Sequence, residues 1–269
     1  MIIIIMFIVI RFIIPSFLGF FLASCSQEKN ISAKAENIDL SEVVQTYAEI
    51  VYASYVDSHS AAKDMSKSID DFLDSPSEQS MVAAKESWIS ARLPYLQTEV
   101  YRFYGGPIDD EDGPEGLINA WPMDEAYVDY VKGGPESGII NDVKTYPEIT
   151  KDLLIGLNEK DGEENISCGY HAIEFLLWGQ DFQVSGPGER PHTDYTTAAN
   201  ADRRKQFLKI TVSLLLENLE SLVNEWAPSK ANYRSNLLKE DPLVAIQKIL
   251  SGMTLLSGFE LAGERLLVA

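Results

Sequence analysis

Leu40-Ser41-Glu42-Val43-Val44-Gln45-Thr46-Tyr47-Ala48-Glu49-Ile50-Val51-Tyr52-Ala53-Ser54-Tyr55 opens a stretch in which Val44, Tyr47, Val51, Ser54 and Tyr55 recur at intervals of three and four. An α-helix turns once in about 3.6 residues, so that interval places them on one face. The pattern carries to about Leu73, where Ser75-Pro76 stops it. Outward from there the same period returns. A second helix is predicted from about Ser77 to about Tyr104, ended by Gly105-Gly106-Pro107. The segment 105–147 is rich in Gly and Pro, with one short helical piece at about Asp124 to Val131. It reads as a long functional loop or cap and not as a linker. Helical patterns resume at about 148–158, 168–179, 198–226 and 242–266, and no convincing strand alternation occurs. The fold predicted is all-α, a helical bundle.

The 269 residues suit one large domain or two small ones, and 45% hydrophobic content supports a core. Forty-one Asp and Glu against 22 Lys and Arg give a formal charge of −19. Such a field repels nucleic acid and anionic membrane surfaces while concentrating cations, so nucleic-acid binding is excluded. The plain reading of the charge is a well-solvated acidic surface.

Residues 1–24 read as a lipoprotein signal peptide and stand outside the fold argument. Met1 to Phe21 is almost unbroken apolar sequence, interrupted by Arg11 and Pro15, and Leu22-Ala23-Ser24-Cys25 follows as a lipobox-like signal. No positive charge precedes Arg11, and a start at Met6 would place it in a short basic region. Pro15 and the abrupt change at Cys25 argue against a retained membrane span. Lipidation is therefore expected at Cys25, with residues 25–38 as a tether and 39–269 as the helical domain. Cys168 is then left alone, so no intrachain disulfide is expected and a small buried hydrophobe is the simplest reading. The chain stops on Leu266-Leu267-Val268-Ala269 without a cap or basic tail, which reads as a helix cut short.

Chemistry concentrates in Gly169-Tyr170-His171-Ala172-Ile173-Glu174-Phe175-Leu176-Leu177-Trp178-Gly179-Gln180-Asp181. His171, Glu174, Trp178 and Asp181 are spaced three, four and three, one helical stripe, while the other faces are apolar. A helix apolar nearly all round is buried, so its His and Glu need partners. A hydrogen-bonded structural pair, a metal site and an acid/base pair all fit, and composition by itself favours the structural pair. Trp88, Arg92, Tyr95, Glu99 and Arg102 make a matching stripe on the second helix, beside Pro94. There Arg92 and Arg102 are expected to pair with Glu99, with Glu99 as a further metal ligand in the functional reading. Asp109-Asp110-Glu111-Asp112 reads as a solvated charge run, lacking EF-hand spacing. Glu260 and Glu264 lie four apart, and His59 and His192 have no metal-ligand neighbours in sequence. His-Glu-x-x-His, Glu-x-x-His, Gly-x-Ser-x-Gly and P-loop patterns are absent.

These residues resemble the imelysin-like family. The resemblance rests on Gly169-x-His171-x-x-Glu174 with Trp178-Gly179-Gln180-Asp181, then Gly186-Pro187-Gly188, Arg190-Pro191 and Thr193-Asp194-Tyr195. It extends to Trp88-x-x-x-Arg92-x-x-Tyr95, Gly106-Pro107-Ile108-Asp109, Asn119-Ala120-Trp121-Pro122 and Glu260-Leu261-Ala262-Gly263-Glu264-Arg265. It implies two bundle-like halves, of which this chain would hold the first and part of the second. It also implies a bacterial envelope location, here lipid-anchored and on the outer membrane, and a tie to iron acquisition and its uptake components. His171 and Glu174, with Glu99, would then hold a divalent ion, iron or zinc, and Arg92, Tyr95, Trp178 and Asp181 would line the site. The family's classification as metallopeptidases keeps a zinc-peptidase reading open behind metal binding and a non-catalytic scaffold, although His171 and Glu174 by themselves are fewer than the three protein ligands catalytic zinc uses.

Overall fold

A buried stripe runs the length of the first helix. In the computed structural model, which describes residues 38–267, α1 spans Leu40–Asp74 and buries Val44, Tyr47, Val51, Tyr55, Ile69 and Phe72 along one side. The expected signal peptide, Cys25 and the expected tether up to residue 37 lie outside the described residues. Ser54 is half-buried on the same side and shares a hydrogen bond with the Tyr101 hydroxyl at 2.9 Å.

Helix α2, Glu78–Leu96, starts in a capping box: Ser77 Oγ accepts from the Ser80 N–H and Ser80 Oγ from the Ser77 N–H. It ends earlier than Tyr104. Pro94 removes a donor from its last turn, and the chain continues as a tighter 3₁₀ turn over Gln97–Tyr101. The long segment after it carries two one-turn helices, α3 at Glu115–Ile118 and α4 at Glu125–Val128. Then come α5 at Lys151–Leu157, α6 at Gly169–Trp178, a 3₁₀ turn at His192–Tyr195, and α7 at Ala201–Trp226. The short α8, Tyr233–Leu237, leads to α9 at Pro242–Leu255, which continues over Leu256–Leu266 in wider π-type turns. No strand occurs among the described residues, only an isolated bridge between Val131 and Gly134. The all-α prediction holds, and the helices at 168–179, 198–226 and 242–266 fall within a few residues of their predicted bounds. The sequence reading did not find α3 and α8, which are too short to show a period.

The central element is α6. It packs against α2 and α7 and buries Tyr170, Ile173, Phe175, Leu176 and Leu177. Trp88 Nε1 of α2 donates to the Tyr170 carbonyl at 3.0 Å, and the Tyr195 hydroxyl donates to the Leu176 carbonyl at 2.7 Å. By contrast α9 packs Ala245, Ile249 and Gly252 inward and leaves Leu243, Leu250, Phe259 and Leu266 exposed. By length and composition, Pro242–Leu266 is long and apolar enough to cross a membrane.

A buried ionic cluster ties the irregular segment to the bundle. Asp129 Oδ2 accepts from Arg190 Nη1 and from Arg204 Nε, both at 2.7 Å, and its Oδ1 accepts from Arg204 Nη2 at 2.9 Å. Asp194 Oδ2 accepts from Arg190 Nη1 at 3.0 Å and from the Tyr130 hydroxyl at 2.6 Å. Two carboxylates meet two guanidiniums, so the charges balance. Burial pushes the Asp129 carboxyl up, but the Arg204 hydrogen bond and the two arginine charges outweigh it and hold the group below the usual carboxylate range. Asp129→Asn leaves two buried guanidiniums short of a counter-charge and is expected to cost about 3–5 kcal/mol of stability. Urea unfolding measures this, and a loss below about 1 kcal/mol would show that the cluster does not hold the segment.

Candidate functional site

Helix α6 begins at Gly169 with φ +81°, and a Cβ there would lie 2.5 Å from the Ile118 carbonyl oxygen. Only glycine takes that angle and that approach together. The close contact brings Asn119–Pro122 across the first turn of α6, and His171 Nδ1 lies 3.0 Å from the Ala120 carbonyl oxygen. With a carbonyl as acceptor, Nδ1 carries the proton and Nε2 keeps its lone pair. The imidazole also packs against the ring of Trp121, centroids 4.9 Å apart, while Trp121 itself is 69% exposed. Burial first, then the Arg92 charge, pushes the His171 pKa down to about 4, so the ring is neutral near pH 7.

Glu174 follows one turn later and is half-buried. Burial raises its pKa and Arg92 partly opposes that. His171 and Glu174 form no hydrogen bond to each other, so the mutual structural pair favoured by composition is not formed among the described residues. Arg92 stacks over Tyr95 and Tyr170 at 5.2 and 5.1 Å, and its Nη1 is buried without a hydrogen-bond partner. Tyr95 is fully buried beneath it and does not reach the cavity.

His171, Glu174, Arg92 and Trp178 line a cavity of about 1200 Å³. Trp178 packs edge-on against Trp88, centroids 5.3 Å apart. Gly179, at φ +68°, ends α6, so Asp181 lies beyond the helix and not on its stripe, though it still borders the cavity. The opposite wall comes from the end of the described chain. Arg265 Nη1 sits 3.0 Å from Glu99 Oε2, and its Nη2 donates to Glu260 Oε1 at 2.9 Å. The expected pairing of Arg92 and Arg102 with Glu99 gives way to this one, and Arg102 pairs instead with Glu115 at 2.8 Å. Glu260 and Arg265 are five apart, a spacing that wide turns bring together and ordinary α-helical turns do not. Sequence reasoning named Glu260 and Glu264 without placing them, quoted Asn119 only within a family-like motif, and had no signal for Glu115 at the cavity.

The site offers one neutral imidazole nitrogen and one carboxylate in a common cavity. Among the described residues, no group of three His, Cys, Asp or Glu is disposed to hold a metal ion. Cys168 is buried, and burial pushes its thiol up to about 12, so it packs as a small inert side chain. Of the acidic run, Asp110, Glu111 and Asp112 are exposed, while the Asp109 carboxylate accepts from the Phe103 N–H. His59 is buried on α1 and His192 sits in the 3₁₀ turn, neither at this cavity.

An all-helical bundle whose central helix presents a glycine-positioned histidine and a carboxylate to one cavity defines a narrow class. The peptidase M75 profile described as Imelysin matches residues 51–269, and the chain belongs to that family. It is 26% identical over 192 residues to iron-regulated protein A of Synechococcus elongatus, covering 71% of this chain and 42% of that protein. The chain thus spans less than half the length of this curated relative. A crystal structure of an iron-regulated protein A precursor from Parabacteroides distasonis superposes with a TM-score of 0.58 at 20% identity, over 83% of this chain and 57% of that one. That likeness establishes the fold.

The depressed histidine sets a pH signature for the metal-free protein. Folded His171 takes a proton near pH 4, whereas an unfolded histidine does so near 6.5. Between those values the unfolded state binds more protons, so stability rises with pH and is lost as pH falls from about 6.5 toward 4. His171→Gln is expected to flatten this part of the curve, while His59, whose pKa is also lowered, keeps a contribution of the same sign. Unfolding free energies across the window check it, and an unchanged slope would contradict the placement of His171.

Proposed function

We propose that this chain is a bacterial envelope protein that binds a divalent metal ion, iron in its working setting, through His171 and Glu174, as part of iron acquisition. The observation that carries the reading is the Nδ1 bond of His171 to the Ala120 carbonyl. It spends one ring nitrogen on orientation and leaves Nε2 as a neutral donor in the cavity that Glu174 shares. The choice of iron is supported by the matched relatives, both named iron-regulated protein A. The donor set fits a borderline divalent ion, for which imidazole and carboxylate are both good ligands. A zinc-peptidase reading is less well supported, because catalytic zinc draws on three protein ligands and Glu99 is engaged with Arg265.

Lipid anchorage at Cys25 belongs to the same proposal, supported by Leu22-Ala23-Ser24-Cys25 after the apolar run. Mass spectrometry of protein taken from native membranes is expected to find a diacylglyceryl modification on Cys25. An unmodified Cys25 still joined to the leader would remove the anchor from the proposal.

For the metal site, Fe²⁺ or Zn²⁺ should raise the melting temperature of the wild-type protein and a chelator should reverse the gain, because a ligand that binds only the folded state stabilises it by mass action. His171→Ala should abolish the gain, and Glu174→Gln should weaken it with helix content unchanged. Equal melting shifts in all three proteins would sink the assignment.

A further inference from the structure

Three of the chain's four tryptophans, Trp88, Trp121 and Trp178, line one cavity. Trp88 is buried and its N–H donates to the Tyr170 carbonyl, so it serves the packing. Trp121 is different: it meets the His171 ring and stays 69% exposed. The face of an indole attracts a cation, and its breadth covers an alkyl chain. Trp178 already takes one such group, since Lys85 Nζ lies 5.5 Å from its ring centroid. Each of the two is followed closely in the chain by a carboxylate on the same lining, Trp121 by Glu125 and Trp178 by Asp181. Gln180 clamps these segments together by donating from Nε2 to Glu125 Oε2 at 2.8 Å.

Eight carboxylates and three arginines line the cavity, and His171 is neutral near pH 7. Arg102 is paired with Glu115, and Arg265 with Glu99 and Glu260. Glu125, Glu159, Glu174, Asp181 and Glu264 are in no ion pair among the described residues, so the lining carries an excess of negative charge. These carboxylates do not converge, for no group of three described His, Cys, Asp or Glu side chains is disposed to hold one ion. Negative charge spread over a cavity of about 1200 Å³ suits a cation whose own charges are spaced along a chain. We propose that the cavity binds a linear alkyl polyammonium ion, with its methylenes against Trp121 and Trp178 and its ammonium groups at Glu125, Asp181 and Glu264. An alkylammonium gains twice from an indole, by attraction of its charge and by cover for its stem. The inference goes beyond the metal reading and uses neither His171 nor a metal ion, so the two stand or fall separately.

Calorimetric titration of the full chain with spermidine, in EDTA and at fixed ionic strength, tests this. The other arms are cadaverine, butylammonium and, without EDTA, Mg²⁺. One spermidine is expected to bind per chain, with affinity falling from spermidine to cadaverine to butylammonium and Mg²⁺ weaker still. Trp121→Ala should weaken spermidine by about five- to tenfold, and Trp121→Phe should recover part of the loss. Glu264→Gln should weaken it by roughly threefold, as an exposed charge contact does. Circular dichroism should show native helix content in all three variants. Spermidine matched by Mg²⁺, or bound equally by Trp121→Ala, is held only by the acidic surface at large, and either result overturns the proposal. Butylammonium binding as tightly as spermidine overturns the spaced charges. No heat with any amine, or binding that EDTA abolishes, overturns the site, whereas a failure of the metal-dependent melting shifts leaves it untouched.

Discussion

The carboxylate of Asp129 is where three parts of the chain meet that no helix joins: the segment after α4, the loop carrying Arg190, and α7 with Arg204. Buried ion pairs of this kind add little net stability over apolar packing, but they admit few alternative arrangements. Arg203, the neighbour of Arg204, spends its donors on the carbonyls of Ile139, Ile140, Tyr146 and Pro147. Those carbonyls belong to irregular backbone that has no ladder to satisfy them. One arginine thus neutralises charge and the next caps the loop. Earlier in the same irregular segment, Asn119 to Met123 forms part of the cavity wall.

The placement of His171 follows from that wall. Its ring is oriented by a peptide carbonyl and a neighbouring indole, not by Glu174. Backbone geometry, set by the Gly169 approach to Ile118, therefore decides which nitrogen is free. A carboxylate partner would have held the ring near its ordinary basicity or above. A neutral carbonyl lets burial prevail, and the imidazole stays unprotonated.

How much of this was legible in the sequence varies with range. The long helices were, because Val44, Tyr47, Val51 and Tyr55 repeat at helical spacing and burial follows the period. The apolar surroundings of His171 and Glu174 were legible for the same reason. Partners far apart in the chain were not. The Glu99 pairing with Arg265 joins the 3₁₀ turn after α2 to the end of the described chain, whereas the sequence offered nearer arginines. Asp129, Arg190 and Arg204 carry no periodic signal that would group them. Asp181 was misplaced on the α6 stripe because the positive φ of Gly179 outranks the spacing.

The wide-turned end of α9 buries no residue along Leu256–Leu266, yet it supplies Glu260, Glu264 and Arg265 to the cavity. What fastens this wall is the contact of Arg265, 41% exposed, with the buried Glu99. An attachment made by charge at a solvent boundary weakens as dissolved salt screens it, over about 8 Å at physiological ionic strength. The other ion pair on the lining, Arg102 with Glu115, is less exposed, at 16% and 19%. The electrolyte around the protein thus acts most strongly on the side of the cavity where Glu260 and Glu264 stand.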